Sequence, residues 1–95
     1  MSGQERTVYI RGEFVPESKA VISIRDLGFV HGDAAFDTAR TFNGTIFKLT
    51  EHVDRLYQSC KFLRIDPGIS KEQMVSLTQE LVKRNVPLLG PNDDY

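Results

Sequence analysis

The sequence predicts an α+β domain: a small antiparallel sheet followed by two helices segregated to one side of it. Three observations carry this reading. An Asn43-Gly44 dipeptide separates two β-like segments, short apolar runs flank Arg11-Gly12-Glu13, and two stretches after residue 50 repeat apolar residues at helical spacing. The 95 residues suffice for one compact domain, although a chain this short buries only a modest fraction of its surface.

Taken in order, Thr7–Ile10 and Phe14-Val15 are predicted as a hairpin around Gly12, with Pro16 ending or edging its second strand. The β-branched run Val21-Ile22-Ser23-Ile24 is predicted to pair with the same sheet. Leu27 to Ala35 mixes Gly28 and Gly32 with small and apolar residues and reads as a loop. From Phe36 a strand is expected, with Phe36, Thr38, Arg40 and Phe42 on one face and Asp37, Ala39 and Thr41 on the other. Asn43-Gly44 supplies the positive φ angles of a type I′ turn, and Thr45–Lys48 returns as the partner strand.

Thr50 is placed as the cap of the first helix, with Glu51 in its first turn, where a negative charge is favourable. Val53, Leu56, Tyr57, Cys60 and Leu63 form its apolar stripe, and Asp66-Pro67-Gly68 stops it. Ser70 and Gln73 have the spacing of a capping box for the second helix, whose buried face is Met74, Leu77, Leu81 and Val82 and which Asn85 and Pro87 end. The small domain is therefore drawn over residues 1–87. Residues 88–95, with Gly90, Pro91, Asn92, Asp93 and Asp94, have the composition of a linker, ending on Tyr95 with no element to hold it.

Composition excludes several classes. Hydrophobic residues are 40% and charged residues 26%, and no apolar stretch approaches the roughly 20 residues of a membrane span. Met1 to Arg6 lack the apolar core of a secretory signal, so the chain reads as cytoplasmic. A single cysteine, Cys60, allows no internal disulfide and no CxxC metal pair. A net charge of −1 with interspersed signs lacks a nucleic-acid footprint.

Among polar residues, Arg55 shares a helix face with His52 and Ser59. Its planar fork suits a phosphate, although in isolation the commoner arrangement is a solvated arginine paired with Glu51. Phe36, Thr38 and Arg40 on one strand face could line a pocket for an organic anion or form a half-solvated strand surface. His31 and Asp33 could orient a substrate or relay a proton, or make a local loop interaction. No GxGxxG, P-loop, nucleophile elbow or triad spacing is present.

Together, Asp26 to Asp37, the Asn43-Gly44 hairpin with Ile46-Phe47-Lys48-Leu49, and Glu51-His52-Val53-Asp54-Arg55-Leu56 resemble class IV, fold type IV pyridoxal-phosphate-dependent aminotransferases in order and spacing. The resemblance runs from about Val8 to Ile69 and corresponds to the N-terminal small domain of that family. It implies that Arg55 anchors the phosphate of pyridoxal 5'-phosphate and that Phe36 lines the substrate pocket with Thr38, Arg40 and His31 as neighbours. It implies an amine or amino acid and a keto acid as substrates, and a homodimer as the assembly. His31 with Asp33 looks closer to the (R)-selective amine transaminase and D-amino-acid branch, while Phe36 departs from the tyrosine common among the amine transaminases. Family members are about three times longer and carry the Schiff-base lysine in a larger C-terminal domain. Lys19, Lys48, Lys61, Lys71 and Lys83 do not stand in that context, so the 95-residue chain alone is expected to be inactive. An aminodeoxychorismate lyase fragment and a non-catalytic binding or assembly module are the alternatives.

Overall fold

A computed structural model describes residues 5–90, 93 and 95. Met1–Gln4, Pro91, Asn92 and Asp94, on which parts of the leader and linker readings rest, lie outside the described residues. The described chain has the α+β composition expected. Its elements are β1 (Thr7–Ile10), β2 (Glu13–Pro16), α1 (Leu27–His31), β3 (Thr41–Phe42), β4 (Thr45–Ile46), α2 (Leu49–Leu63) and α3 (Lys71–Asn85). The strands form two separate two-stranded antiparallel sheets, β1-β2 and β3-β4.

The β1-β2 hairpin forms as expected, with Val8 opposite Val15 and Tyr9 opposite Phe14. Arg11 and Gly12 make its turn at φ 49° and 84°, the left-handed pair that matches strand twist. The Tyr9 and Phe14 rings meet edge to face at 4.9 Å, and the Arg84 guanidinium from α3 lies 3.9 Å from the Phe14 ring centre. The stronger tie to α3 is Asn85, which is 1% exposed. Its carboxamide accepts from the Thr7 N–H at 2.8 Å and donates to the carbonyls of Thr7 and Leu81, each at 2.9 Å. Asn85 is therefore the last residue of α3 and a clamp on β1 as well as a terminator.

Both long helices form. α3 carries the predicted capping box, with the Gln73 N–H donating to Ser70 Oγ and the Ser70 N–H donating to Gln73 Oε1. α2 begins at Leu49, and Thr50 lies inside its first turn instead of capping it. The turn delivers Lys48 at the N-cap in a left-handed conformation, φ 51°, with no side-chain cap, so the helix starts directly from the hairpin. Val53 and Cys60 are its buried residues, and Leu63 at the end of the stripe is 47% exposed. Tyr57 closes the α2-α3 connection by donating its hydroxyl to the Ile69 carbonyl at 2.7 Å.

The structure corrects the sequence reading between residues 21 and 40. Val21–Ile24 makes no strand. Ser23 turns the chain, its Oγ accepting from the Arg25 N–H and its carbonyl from the Asp26 N–H, and the Val21 carbonyl accepts from Arg11 Nη1. The predicted loop over 27–35 starts with the short helix α1, because Asp26 caps Gly28 and Gly32, at φ 70°, supplies a left-handed stop. The strand expected from Phe36 pairs only near its end: β3 covers Thr41–Phe42, and the Phe47 N–H adds one bond to the Arg40 carbonyl. Residues 36–40 nonetheless keep the alternation, with Asp37 and Ala39 half-buried and Phe36, Thr38 and Arg40 exposed.

Tyr95 is also held, against expectation. The Thr41 N–H donates to its carbonyl and the Tyr95 N–H donates to Thr41 Oγ1, lining it up beside β3. Between this hairpin and the two helices lies a cavity of about 220 Å³, walled mainly by Leu49, Val53, Leu56, Met74 and Leu81 and bordered by Tyr95. The radius of gyration is 14.6 Å, against about 12 Å for a compact domain of this length.

Candidate functional site

The site is built around a carboxylate facing the interior. The in-out alternation of the segment before β3 turns Asp37 towards α2, where two side chains spaced i, i+3, His52 and Arg55, project from neighbouring turns. A carboxylate taken from water needs charged or hydrogen-bonding partners, and Asp37, whose side chain is 12% exposed, finds both here. Arg55 Nε donates to Oδ2 at 2.7 Å, Arg55 Nη2 donates to Oδ1 at 2.8 Å, and His52 Nδ1 lies 2.7 Å from Oδ1. The Arg55–Asp37 contact is thus bidentate, through one edge of the guanidinium.

Arg55 and then His52 hold the Asp37 carboxyl far below the usual carboxylate range, and Asp37 in turn raises the guanidinium. Ionised Asp37 can only accept, which favours the proton on His52 Nδ1 and leaves Nε2 pointing away from the pair. Arg55 Nη2 also passes 2.9 Å from His52 Nδ1, a contact that is a hydrogen bond only when that nitrogen is unprotonated. Glu51, the partner expected for an isolated helix arginine, is not used. Instead Arg55 reaches across the fold, and its side chain stays 62% exposed. Nη1 has no partner among the described residues, so the outer edge of the guanidinium faces outward with donors to spare.

The other candidates sit around this pair. Phe36 and Thr38 flank Asp37 in sequence and are exposed on the opposite side of the segment, Phe36 at 87%. Arg40, exposed on the same alternation, stacks its guanidinium 4.1 Å from the Phe42 ring centre. His31 closes α1 and is exposed, and no hydrogen bond joins it to Asp33. Ser59, grouped with Arg55 by helix spacing, makes no hydrogen bond to Arg55 or His52. Asp37 was missed as a functional residue. Its signal was its register, which sets a carboxylate on the same face as Ala39 and buried Thr41.

Among the described residues no cluster of His, Cys, Asp and Glu could hold a metal, and no helix is long and apolar enough to cross a membrane.

Residues 34–88, which include Phe36 to Arg40 and the His52–Arg55 helix, match the family model for amino-transferase class IV. A Methanocaldococcus jannaschii protein assigned as a branched-chain-amino-acid aminotransferase is 41% identical over 78 residues, which are 82% of this chain and 27% of that protein. A D-alanine aminotransferase from Staphylococcus haemolyticus is 35% identical over 78 residues, 82% of this chain and 28% of that one. The chain thus spans little more than a quarter of the length of these curated relatives. In fold it is similar to the branched-chain aminotransferase of Thermoproteus uzoniensis solved with norvaline, at a TM-score of 0.82 and 23% identity, over 96% of this chain and 31% of that one. The chain belongs to the class IV aminotransferase family.

Proposed function

We propose that this chain is the small-domain part of a pyridoxal-phosphate-dependent enzyme that moves an amino group between an amine or amino acid and a keto acid. The observation that carries the reading is the Arg55 guanidinium: braced on one edge by Asp37 and open on the other. Its remaining donors are planar, permanently charged and outward, a set that fits a phosphate group. The cofactor, when bound, supplies the electron sink for amino-group chemistry. Arg55 holds its phosphate. Phe36, Thr38, Arg40 and His31 contribute a pocket wall in which Arg40 offers charge to a substrate carboxylate and Phe36 offers an apolar plane.

On this reading the reacting amine is none of this chain's lysines. Lys19 lies in a 3-10 turn, Lys48 at the N-cap of α2, Lys61 and Lys83 on helices, and Lys71 faces Asp54 at 3.3 Å. On this reading the 95-residue chain alone is inactive. The assembly is a homodimer and the compartment the cytoplasm. The exposed apolar residues from Val21 to Phe36 support an arrangement in which another body covers this segment.

The test is amino transfer by the complete gene product, assayed over D- and L-amino acids and amines with a keto acid acceptor. Transfer that depends on added pyridoxal phosphate and weakens in Arg55→Ala, with recovery at high cofactor, is the expected result. No transfer with any donor, or transfer indifferent to the cofactor, contradicts it.

A further inference from the structure

We infer that Asp37 is a positioning residue for phosphate recognition: it fixes the Arg55 guanidinium from behind so that its outer edge is presented to the anion. The inference rests on Arg55 as the phosphate anchor. An arginine on a helix surface samples many rotamers, and binding must freeze them. Here the freezing is done in advance. The inner edge of Arg55 is tied by two charge-assisted bonds of 2.7 and 2.8 Å to a carboxylate that is itself mostly shielded from solvent. That carboxylate is in turn held by the α2 imidazole of His52 at 2.7 Å. Asp37 also lies between Phe36 and Thr38, so the same two bonds register α2 against the segment that carries the proposed pocket wall.

A carboxylate near an anion site has a second, opposing effect, because its charge repels the phosphate. The two effects give opposite signs on removal. Asp37 is engaged on both oxygens by cationic or N–H groups within 2.8 Å, so its charge is countered locally. An anion at the outer edge would have the guanidinium between itself and the carboxylate. Positioning therefore outweighs repulsion, and neutralising Asp37 weakens phosphate binding.

The experiment compares equilibrium binding of pyridoxine 5'-phosphate and of pyridoxine by the complete gene product. Asp37→Asn keeps the shape and removes the charge. It is expected to weaken the phosphorylated ligand about tenfold, the effect of losing a partner that orients a ligating group, while pyridoxine binding stays within about twofold and reports an intact fold. Asp37→Asn binding the phosphorylated ligand as tightly as wild type, or more tightly, overturns the inference. Arg55→Ala separates the two levels: if it weakens the phosphorylated ligand while Asp37→Asn does not, positioning alone fails. If Arg55→Ala has no effect, the phosphate reading fails and takes the inference with it. Should Asp37→Asn not fold, the wild-type protein decides. Its Arg55 Nε–H should exchange slowly with solvent and shift when pyridoxine 5'-phosphate binds, and a freely exchanging Nε–H contradicts the positioning role.

Discussion

Two regions of this chain solve the same problem differently. From Leu49 to Asn85, and in the β1-β2 hairpin that packs on α3, side chains of the region itself cap its ends and tie its elements together. Ser70 and Gln73 cap one another, Tyr57 holds the interhelix turn, and Asn85 satisfies both backbone polar groups of Thr7. From Ala20 to Arg40, Ser23 and Asp26 also hold turns, but the large apolar side chains stand uncovered among the described residues. Ile24, Phe29 and Phe36 stand 79%, 67% and 87% exposed, and only five residues form a helix. The contrast teaches that the first region is stabilised by its own contacts. The second exposes an apolar surface, of the kind that marks an interaction site. Arg55 and Asp37 sit at the seam, with the guanidinium in the first region and the carboxylate in the second.

Substitutions should expose this asymmetry. The largest effect is expected at Asn85. Asn85→Ala leaves the Thr7 N–H and carbonyl without their partner and releases β1 from α3, at a cost of roughly 2–3 kcal/mol, the range for stranding buried polar groups. Urea denaturation of the chain checks this, and a loss under 0.5 kcal/mol would show that β1 is held by other contacts. Ser70→Ala removes the cap of α3 and should cost about 1 kcal/mol, visible as a lower denaturation midpoint with an unchanged slope.

A smaller effect, screened because Arg55 is exposed, belongs to Asp37. Its carboxyl is held below the ordinary value, so its contribution is present in full above the usual carboxylate range of about 4. It is lost as the pH falls through the lowered folded value. The stability gap between wild type and Asp37→Asn should accordingly narrow below about pH 4, and a gap that widens with acid would reverse the assignment. The smallest effect is expected in the apolar segment. Ile24→Ser in the isolated chain should change stability by less than about 0.5 kcal/mol, as for surface positions generally, and should reduce self-association in sedimentation. A cost above 1 kcal/mol would mean that the segment already supports the core.

The same asymmetry explains what could be read from residues alone. The Asn43-Gly44 turn, the Ser70 capping box and the stripe of Val53 and Cys60 are short-range signals, and the structure carries all three. The strand expected at Val21–Ile24 rested on β-branched content, which needs a partner strand to become a ladder. Among the described residues no strand lies beside it. The helix at Leu27–His31 was legible in Asp26 and Gly32 but was obscured by Gly28 in its first turn. At the site, helix spacing gives the His52–Arg55 pair, whereas the choice of Asp37 over Glu51 as the partner depends on how the segment before β3 approaches α2, a contact across 18 residues.

A crystal structure of the complete gene product with pyridoxal phosphate tests the phosphate role of Arg55 directly. Arg55 Nη1 is expected within hydrogen-bonding distance, about 3 Å, of a phosphate oxygen, while Nε keeps Asp37. A phosphate seated away from Arg55, or an Arg55 that leaves Asp37 to reach it, would contradict that expectation.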